Sequence, residues 1–313
     1  MRVRAPGKLM LAGEYAVLHG HPALVMAVDR CAVASACDVA AGTPFPEIAA
    51  TFALAREAGI FDVDPRAVRV DASALQGDGA RKLGLGSSAA ACVAALGWAW
   101  ASAGRAIDDE ARLAIGLLAR RGHRRAQGGG SGVDVIASAL GGVVRVQLAD
   151  DPDAAPRVER HAGLGAAPWA VLWTGTPART SDMIARVEAY RARDGGGFAA
   201  SLGRIAEATA AMERALAAGD VSALVEAVAE HGRAMASLGH AAGAPVVTEA
   251  MARLAARIEP MGGACKPSGA GGGDVAVAFA RDADTLAAVT EAARAEGFAV
   301  VPLAIDPRGV AAW

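Results

Sequence analysis

The chain has 313 residues, 53% of them apolar and only 4% aromatic, and its 31 Lys plus Arg nearly balance 33 Asp plus Glu. That length fits two domains of roughly 100 to 200 residues with a sizeable core, and a net charge of −2 excludes a general nucleic-acid binder or membrane-surface protein. No apolar run reaches the roughly 18 residues of a membrane span, no signal-peptide pattern opens the chain, and Cys31, Cys37, Cys92 and Cys265 lack metal-site spacing, so zinc and a disulfide framework are set aside and a reducing cytoplasm is expected.

Residues 1–4 alternate apolar with basic side chains, Ala5-Pro6-Gly7-Lys8 predicts a turn, and residues 9–12 predict a second short strand. Lys8 then sits where strand meets turn, and taken alone it reads as a solvated turn lysine. Further strands are predicted at 22–28, 31–40 and 66–72, which makes the first third strand-rich.

Residues 82–91, Lys-Leu-Gly-Leu-Gly-Ser-Ser-Ala-Ala-Ala, read as an anion cradle opening a helix. Gly84 and Gly86 let the backbone bend and approach a ligand closely, and the first N–H groups of the helix point at whatever negative charge sits there. Ser87 and Ser88 can cap the helix or ligate a metal, and the alanine-rich stretch to residue 103 predicts a helix buried on most sides. A Walker A loop is excluded because no Lys follows Gly86. Gly84, Gly86 and Ala89 satisfy a loose dinucleotide pattern with Asp108 or Asp109 about 20 residues on, yet the polar stretch 76–82 stands where that pattern needs an apolar strand. The plain alternative is a tight turn capping a packed helix.

A second helix is predicted over 108–123, ending in Arg120, Arg121, His123, Arg124 and Arg125, which by themselves read as a solvated helix end favoured by the helix dipole. The second glycine-rich element, 126–134, carries Ser131 and Asp134 and is able to wrap a small ligand; Asp134 alternatively caps a helix. A strand follows at 141–147, and the Pro-, Asp- and Ala-rich stretch 150–164 predicts a linker, giving domains 1–160 and 161–313. In the second domain a strand at 169–173 and a polar loop at 174–181 lead into helices running to about residue 239, broken at 195–197 and 219–220, with another helix at 246–258. The third glycine-rich element, 266–274, leads into a strand at 275–279, a helix at 285–296 and a strand at 299–304. The class is α+β, without an internal repeat.

Three motifs, Pro6-Gly7-Lys8 with Gly13-Glu14, then Gly84-Leu85-Gly86-Ser87-Ser88, then Ser268-Gly269-Ala270-Gly271-Gly272-Gly273, resemble the GHMP kinase superfamily over essentially the whole chain. The resemblance implies a two-domain GHMP kinase fold, an amino-terminal ATP-binding domain like the second domain of ribosomal protein S5 and a ferredoxin-like carboxy-terminal domain, with the active site in the cleft between them. Within the superfamily the chain is most similar to the phosphomevalonate kinases, with the mevalonate kinases next. Tyr15 stands where mevalonate kinases typically have histidine, Lys82 precedes the first glycine loop, and stretches 123–134 and 266–274 are close to the phosphomevalonate kinase patterns. One departure concerns His123, eleven residues before Asp134, where mevalonate kinases place a glutamate that holds magnesium.

The resemblance implies transfer of the ATP γ-phosphoryl group to mevalonate 5-phosphate in isoprenoid biosynthesis, with ATP and Mg2+; the alternative is mevalonate kinase or another alcohol kinase of the superfamily. Lys8 and Asp134 are the expected catalytic residues, and Gly84, Leu85, Gly86, Ser87, Ser88 and Ala89 the ATP-phosphate loop, with Ser87 or Ser88 on the metal. Tyr15, Lys82, Arg124, Ser131, Lys266 and Ser268 are the expected substrate contacts. The expected partner is the small-molecule substrate, with neither nucleic acid nor membrane, in a monomer or homodimer. A catalytically silent binding protein, a decarboxylase relative and a dinucleotide-dependent oxidoreductase are the rival classes.

Overall fold

The computed structural model describes residues 1–37, 45–77, 81–151, 154–161, 163–178 and 180–313, with the backbone alone at Arg81 and Lys82. The strands are β1 (Arg2–Ala12), β2 (Ala23–Ala36), β3 (Val68–Asp71), β4 (Gln76–Gly77), β5 (Arg81–Lys82), β6 (Val143–Gln147), β7 (Arg157–His161), β8 (Trp169–Trp173), β9 (Gly263–Pro267), β10 (Val275–Ala280), β11 (Ala299–Val301) and β12 (Ala311–Ala312). The α-helices are α1 (Pro46–Glu57), α2 (Ser87–Ser102), α3 (Asp109–Gln127), α4 (Val133–Leu140), α5 (Thr180–Arg193), α6 (Gly195–Ala218), α7 (Val221–Ala242), α8 (Glu249–Ile258) and α9 (Ala283–Ala295). None of the described helices is long and apolar enough to cross a membrane.

Two compact units emerge, one of Met1–Leu9, Val25–His161 and Ala304–Trp313, the other of Met10–Leu24 and Ala162–Leu303. A single cut after residue 160 is what the sequence suggests; the units instead exchange two segments, 10–24 and 304–313.

In the first unit the strand order is β12-β1-β2-β6-β7, with β3 on β2. The turn expected at residues 5–8 is absent, because β1 runs unbroken through Pro6-Gly7. Arg2 exchanges backbone hydrogen bonds with Trp313, and β12 pairs only Val3 and Arg4. By the two-residue period, Pro6 and Lys8 face the same edge beyond the end of β12, where a proline costs no ladder bond. That edge is filled by other partners: Ser138 Oγ donates to the Pro6 carbonyl at 2.6 Å, and the Lys8 N–H donates to the Leu85 carbonyl at 2.9 Å. Gly7 is required there, since a Cβ would stand 2.8 Å from the Leu85 oxygen. The first glycine loop is thereby fastened to the middle of β1.

Other departures have equally local causes. Strand β2 is one run of 14 residues rather than two strands. Helix α1, unpredicted, starts with Pro46 at its first turn, where proline lacks only an N–H that would be orphaned anyway. The expected linker contains β7, paired antiparallel with β6; Arg157, Glu159, Arg160 and His161 make it polar because it closes the edge of the sheet. Helix α2 is buried from Ala89 to Ala99, and glycine is needed at its closest approach: a Cβ on Gly97 would stand 2.7 Å from Val310 and 3.0 Å from Val3.

The second unit holds the antiparallel sheet β11-β8-β10-β9. One face, with Ala170, Leu172, Ala276, Ala278 and Ala280, forms a core with Leu254 and Ile258 of α8 and Val289 and Ala293 of α9. A separate core joins Tyr15 and Ala16 to Met183, Phe198, Ile205, Met235 and Leu238. The three glycines expected to interrupt a helix form the first turn of α6 instead, because the Asp194 side chain caps it by accepting from Gly197 N–H at 2.8 Å. Helix α8 starts at Glu249 rather than 246, capped by Thr248.

Candidate active site

In the first unit the loop 84–86 turns on two left-handed glycines, both at φ 74°. Gly86 is the N-cap of α2 and offers no side-chain cap, so the N–H groups of Ser87, Ser88 and Ala89 open the helix toward an anion, with the helix dipole behind them. Leu85 is buried and anchors the loop in the core. Lys8 is half-buried and lies along this loop: its Nζ donates to the Gly84 carbonyl at 3.3 Å, and a Cβ on Gly86 would stand 3.0 Å from its Cγ and Cε. The cation is therefore a strand residue held over the anion cradle, not a solvated turn lysine.

Ser88 Oγ lies 3.1 Å from His123 Nε2, and Gln127 Nε2 lies 3.2 Å from the same ring nitrogen and 3.3 Å from Glu47 Oε1. A carboxylate only accepts, so the Gln127 amide nitrogen donates to Glu47, while the Ser88 hydroxyl and the Gln127 amide both lie within hydrogen-bond distance of the one ring nitrogen His123 Nε2. His123 is buried, at 3% exposure. Asp134 sits in the first turn of α4, whose N-cap is Gly132, so it is not the cap, and its Oδ1 accepts from Val135 N–H at 3.0 Å. Four residues on, on the same helix face, is the Ser138 that reaches Pro6. Burial pushes the Cys92 thiol up to about 12, with the Glu47 and Asp134 charges adding to the rise. Ser131 is half-buried, its carbonyl held by the buried Arg120 Nε at 2.9 Å. Arg124 is half-buried in the last turn of α3, its carbonyl accepting from Gly129 N–H.

The second unit holds a buried charge cluster of its own beside the third glycine loop. Lys266 Nζ pairs with Glu14 Oε1, and both residues are 1% exposed. The same Oε1 accepts from Gly269 N–H at 3.3 Å. His231, fully buried, accepts from Gly13 N–H through Nε2 at 3.1 Å, a bond that fixes the proton on Nδ1; the 3.3 Å approach of Nε2 to Glu14 Oε2 is then not a donor contact. Burial, and then the Lys266 charge, hold this imidazole well below its ordinary pKa. Ser268 Oγ accepts from Met10 N–H at 2.8 Å, and Tyr15 OH donates to the Ala270 carbonyl at 2.5 Å. Among the described residues only Tyr15 (φ 62°) and Asp274 (φ 51°) are non-glycines in the left-handed region, and both anchor this loop. Asp274 Oδ1 accepts from Ala178 N–H at 3.0 Å. Strain of this kind gathers at ligand-holding segments.

Residues 47–142 match the family described as GHMP kinases N terminal domain, and residues 212–299 match GHMP kinases C terminal. The phosphomevalonate kinase of Streptomyces sp. (strain CL190) is 30% identical, over 97% of this chain and 96% of its own length. The chain belongs to the GHMP kinases. Its fold is that of two solved structures: a Lin0012 protein from Listeria innocua, 25% identical with a TM-score of 0.86 over 97% of each chain, and the Streptococcus pneumoniae phosphomevalonate kinase in complex with phosphomevalonate and AMPPNP, 20% identical with a TM-score of 0.83 over 97% of this chain and 99% of that one.

In this GHMP kinase the first unit brings Lys8 onto the loop Gly84–Ala89. Two residues expected on the substrate have partners within the second unit. The Lys266 ammonium pairs with Glu14 inside the fold, and Tyr15 is 8% exposed with its hydroxyl donating to the Ala270 carbonyl; burial also raises the Tyr15 pKa. The Lys82 side chain lies outside the described residues. His231 and Glu47 belong to no sequence motif, and with Gln127 they become partners only through the fold. A signal for Lys266 did exist: a lysine inside the apolar strand Gly263–Pro267 needs a buried carboxylate.

Proposed function

We propose that this GHMP kinase transfers the γ-phosphoryl group of ATP to the phosphate of mevalonate 5-phosphate, giving mevalonate 5-diphosphate. The observation that carries the reading is the end-to-end 30% identity with a phosphomevalonate kinase. The N–H groups at the start of α2 and its dipole hold the ATP phosphates, and Lys8 neutralises the charge shared by donor and acceptor during transfer. Ser268 and Ser131 hydroxyls and the Arg124 and Lys82 cations are the proposed acceptor-phosphate contacts.

The donor set suits magnesium: Ser87 and Ser88 offer hard hydroxyl oxygens beside the phosphate cradle, while no cluster of His, Cys, Asp or Glu able to hold a metal occurs among the described residues. Held there, magnesium would supply charge neutralisation on the phosphates. Because a phosphate monoester has a second pKa near about 6, the acceptor arrives largely anionic, and Asp134 has little proton to remove. The free cysteines Cys31, Cys92 and Cys265 support a reducing, cytoplasmic setting.

The test is ADP release from ATP and Mg2+ with mevalonate 5-phosphate and mevalonate offered separately. Turnover with the phosphorylated acceptor alone supports the reading. Turnover with mevalonate alone moves the function to an alcohol kinase.

A further inference from the structure

Lys266 is a fully buried cation two residues before the third glycine loop, and the proposed chemistry leaves it no ligand to touch. Its Nζ meets Glu14 Oε1, the oxygen that also receives Gly269 N–H. A carboxylate at 1% exposure needs a partner to stay buried; the Lys266 ammonium is that partner, and the shared Oε1 is the acceptor for the loop. The rest of the loop is tied to the same segment. Met10 N–H occupies a lone pair of Ser268 Oγ, which leaves the Ser268 hydrogen free to donate. Tyr15 draws the Ala270 carbonyl toward itself, and in a planar trans peptide this sends the Gly271 N–H to the opposite side. Among the described residues neither Ala270 nor Gly271 N–H has a hydrogen-bond partner.

We propose that Lys266 is a positioning residue: paired with Glu14, it holds the carboxylate against Gly269 N–H and so fixes the Ser268–Ala270–Gly271 donors in the form that meets the phosphorylated acceptor. The inference deepens the kinase reading above and rests on it for the identity of the acceptor.

The test compares Glu14→Gln, Lys266→Met and the double variant with the wild type. Each single variant strands a buried polar partner, so its Tm falls further than that of the double variant, which removes both charges. The double variant folds but has lost the ionic anchor, and its KM for mevalonate 5-phosphate rises about 10-fold while KM for ATP moves less than about 2-fold. A folded double variant with wild-type acceptor KM overturns the proposal, because the pair is then structural only. A second measurement needs no variant: amide hydrogen exchange of the ligand-free wild type over 268–271. Slow exchange at Gly269 beside fast exchange at Gly271 is expected, and unprotected Gly269 overturns the proposal. If the wild type fails to phosphorylate mevalonate 5-phosphate, the functional reading falls, and the exchange result still decides whether the pair holds the loop.

Discussion

The Nζ of Lys8 lies 3.3 Å from the carbonyl oxygen of Gly84, and the stem of the same side chain covers the face of Gly86 from which a Cβ would project. Charge and loop are thus positioned together before any ligand arrives. Lys8→Met keeps the stem and removes the charge, so kcat is expected to drop by about 10²- to 10³-fold, the usual loss when one preorganised charge stabiliser is removed. Thermal unfolding of the variant should match the wild type. A variant with normal kcat would remove Lys8 from the chemistry.

Asp134 accepts from its neighbour's N–H, and the proposed phosphate acceptor needs little deprotonation. Asp134→Asn is accordingly expected to cost less than about 10²-fold in kcat, below the upper range of general-base effects. Single-turnover kinetics at neutral pH provide the check. Complete loss of turnover with unchanged acceptor binding would make Asp134 a required base.

The Ser88 hydroxyl is oriented by His123. His123→Ala frees that hydroxyl to rotate, and the Mg2+ concentration for half-maximal rate should rise about 10-fold, as when an outer partner of a metal ligand is lost. His123→Gln, whose amide also hydrogen-bonds, should recover most of the difference. Titrating Mg2+ at saturating ATP separates this from a general loss of stability, which would lower Tm without changing the Mg2+ dependence.

His231 is held neutral by burial and then by the Lys266 charge. Below the unfolded histidine pKa of about 6.5 the unfolded chain takes up a proton that the native site refuses, so stability is full above that pH and declines as pH falls, by up to about 1.4 kcal/mol per unit. His19 is lowered as well, by its partial burial and then Arg191, and adds in the same direction. Urea unfolding at pH 7.5, 6.5 and 5.5 should show this slope, and His231→Gln should flatten it. An unchanged slope in the variant would place the acid sensitivity elsewhere.

The glycine loops were legible in the sequence because close ligand approach and left-handed turns demand glycine, a demand visible at Gly84 and Gly86 without coordinates. The family followed from their order. Side-chain direction was not legible. Lys266 and Lys8 both stand near glycine motifs, yet one lies along a loop and the other is buried on Glu14, a pairing of residues 252 positions apart. Pro6-Gly7 carried a turn signal that the short length of β12 overrode. The polarity of β7 resembled a linker because an edge strand shares that composition.

Residues 304–313 complete the first unit: β12 pairs with β1 there, Arg4 pairs with Asp306, and Gly309 packs against the Ala139 carbonyl. During synthesis at about 5 to 20 residues per second, the strands made first wait roughly 15 to 60 seconds for these partners. In that interval β1 has an open edge and Arg4 lacks its Asp306 partner, so closure of the amino-terminal unit is delayed. Neither unit can be released by a single proteolytic nick, and a circular permutant joining residues 313 and 1 would shorten the wait.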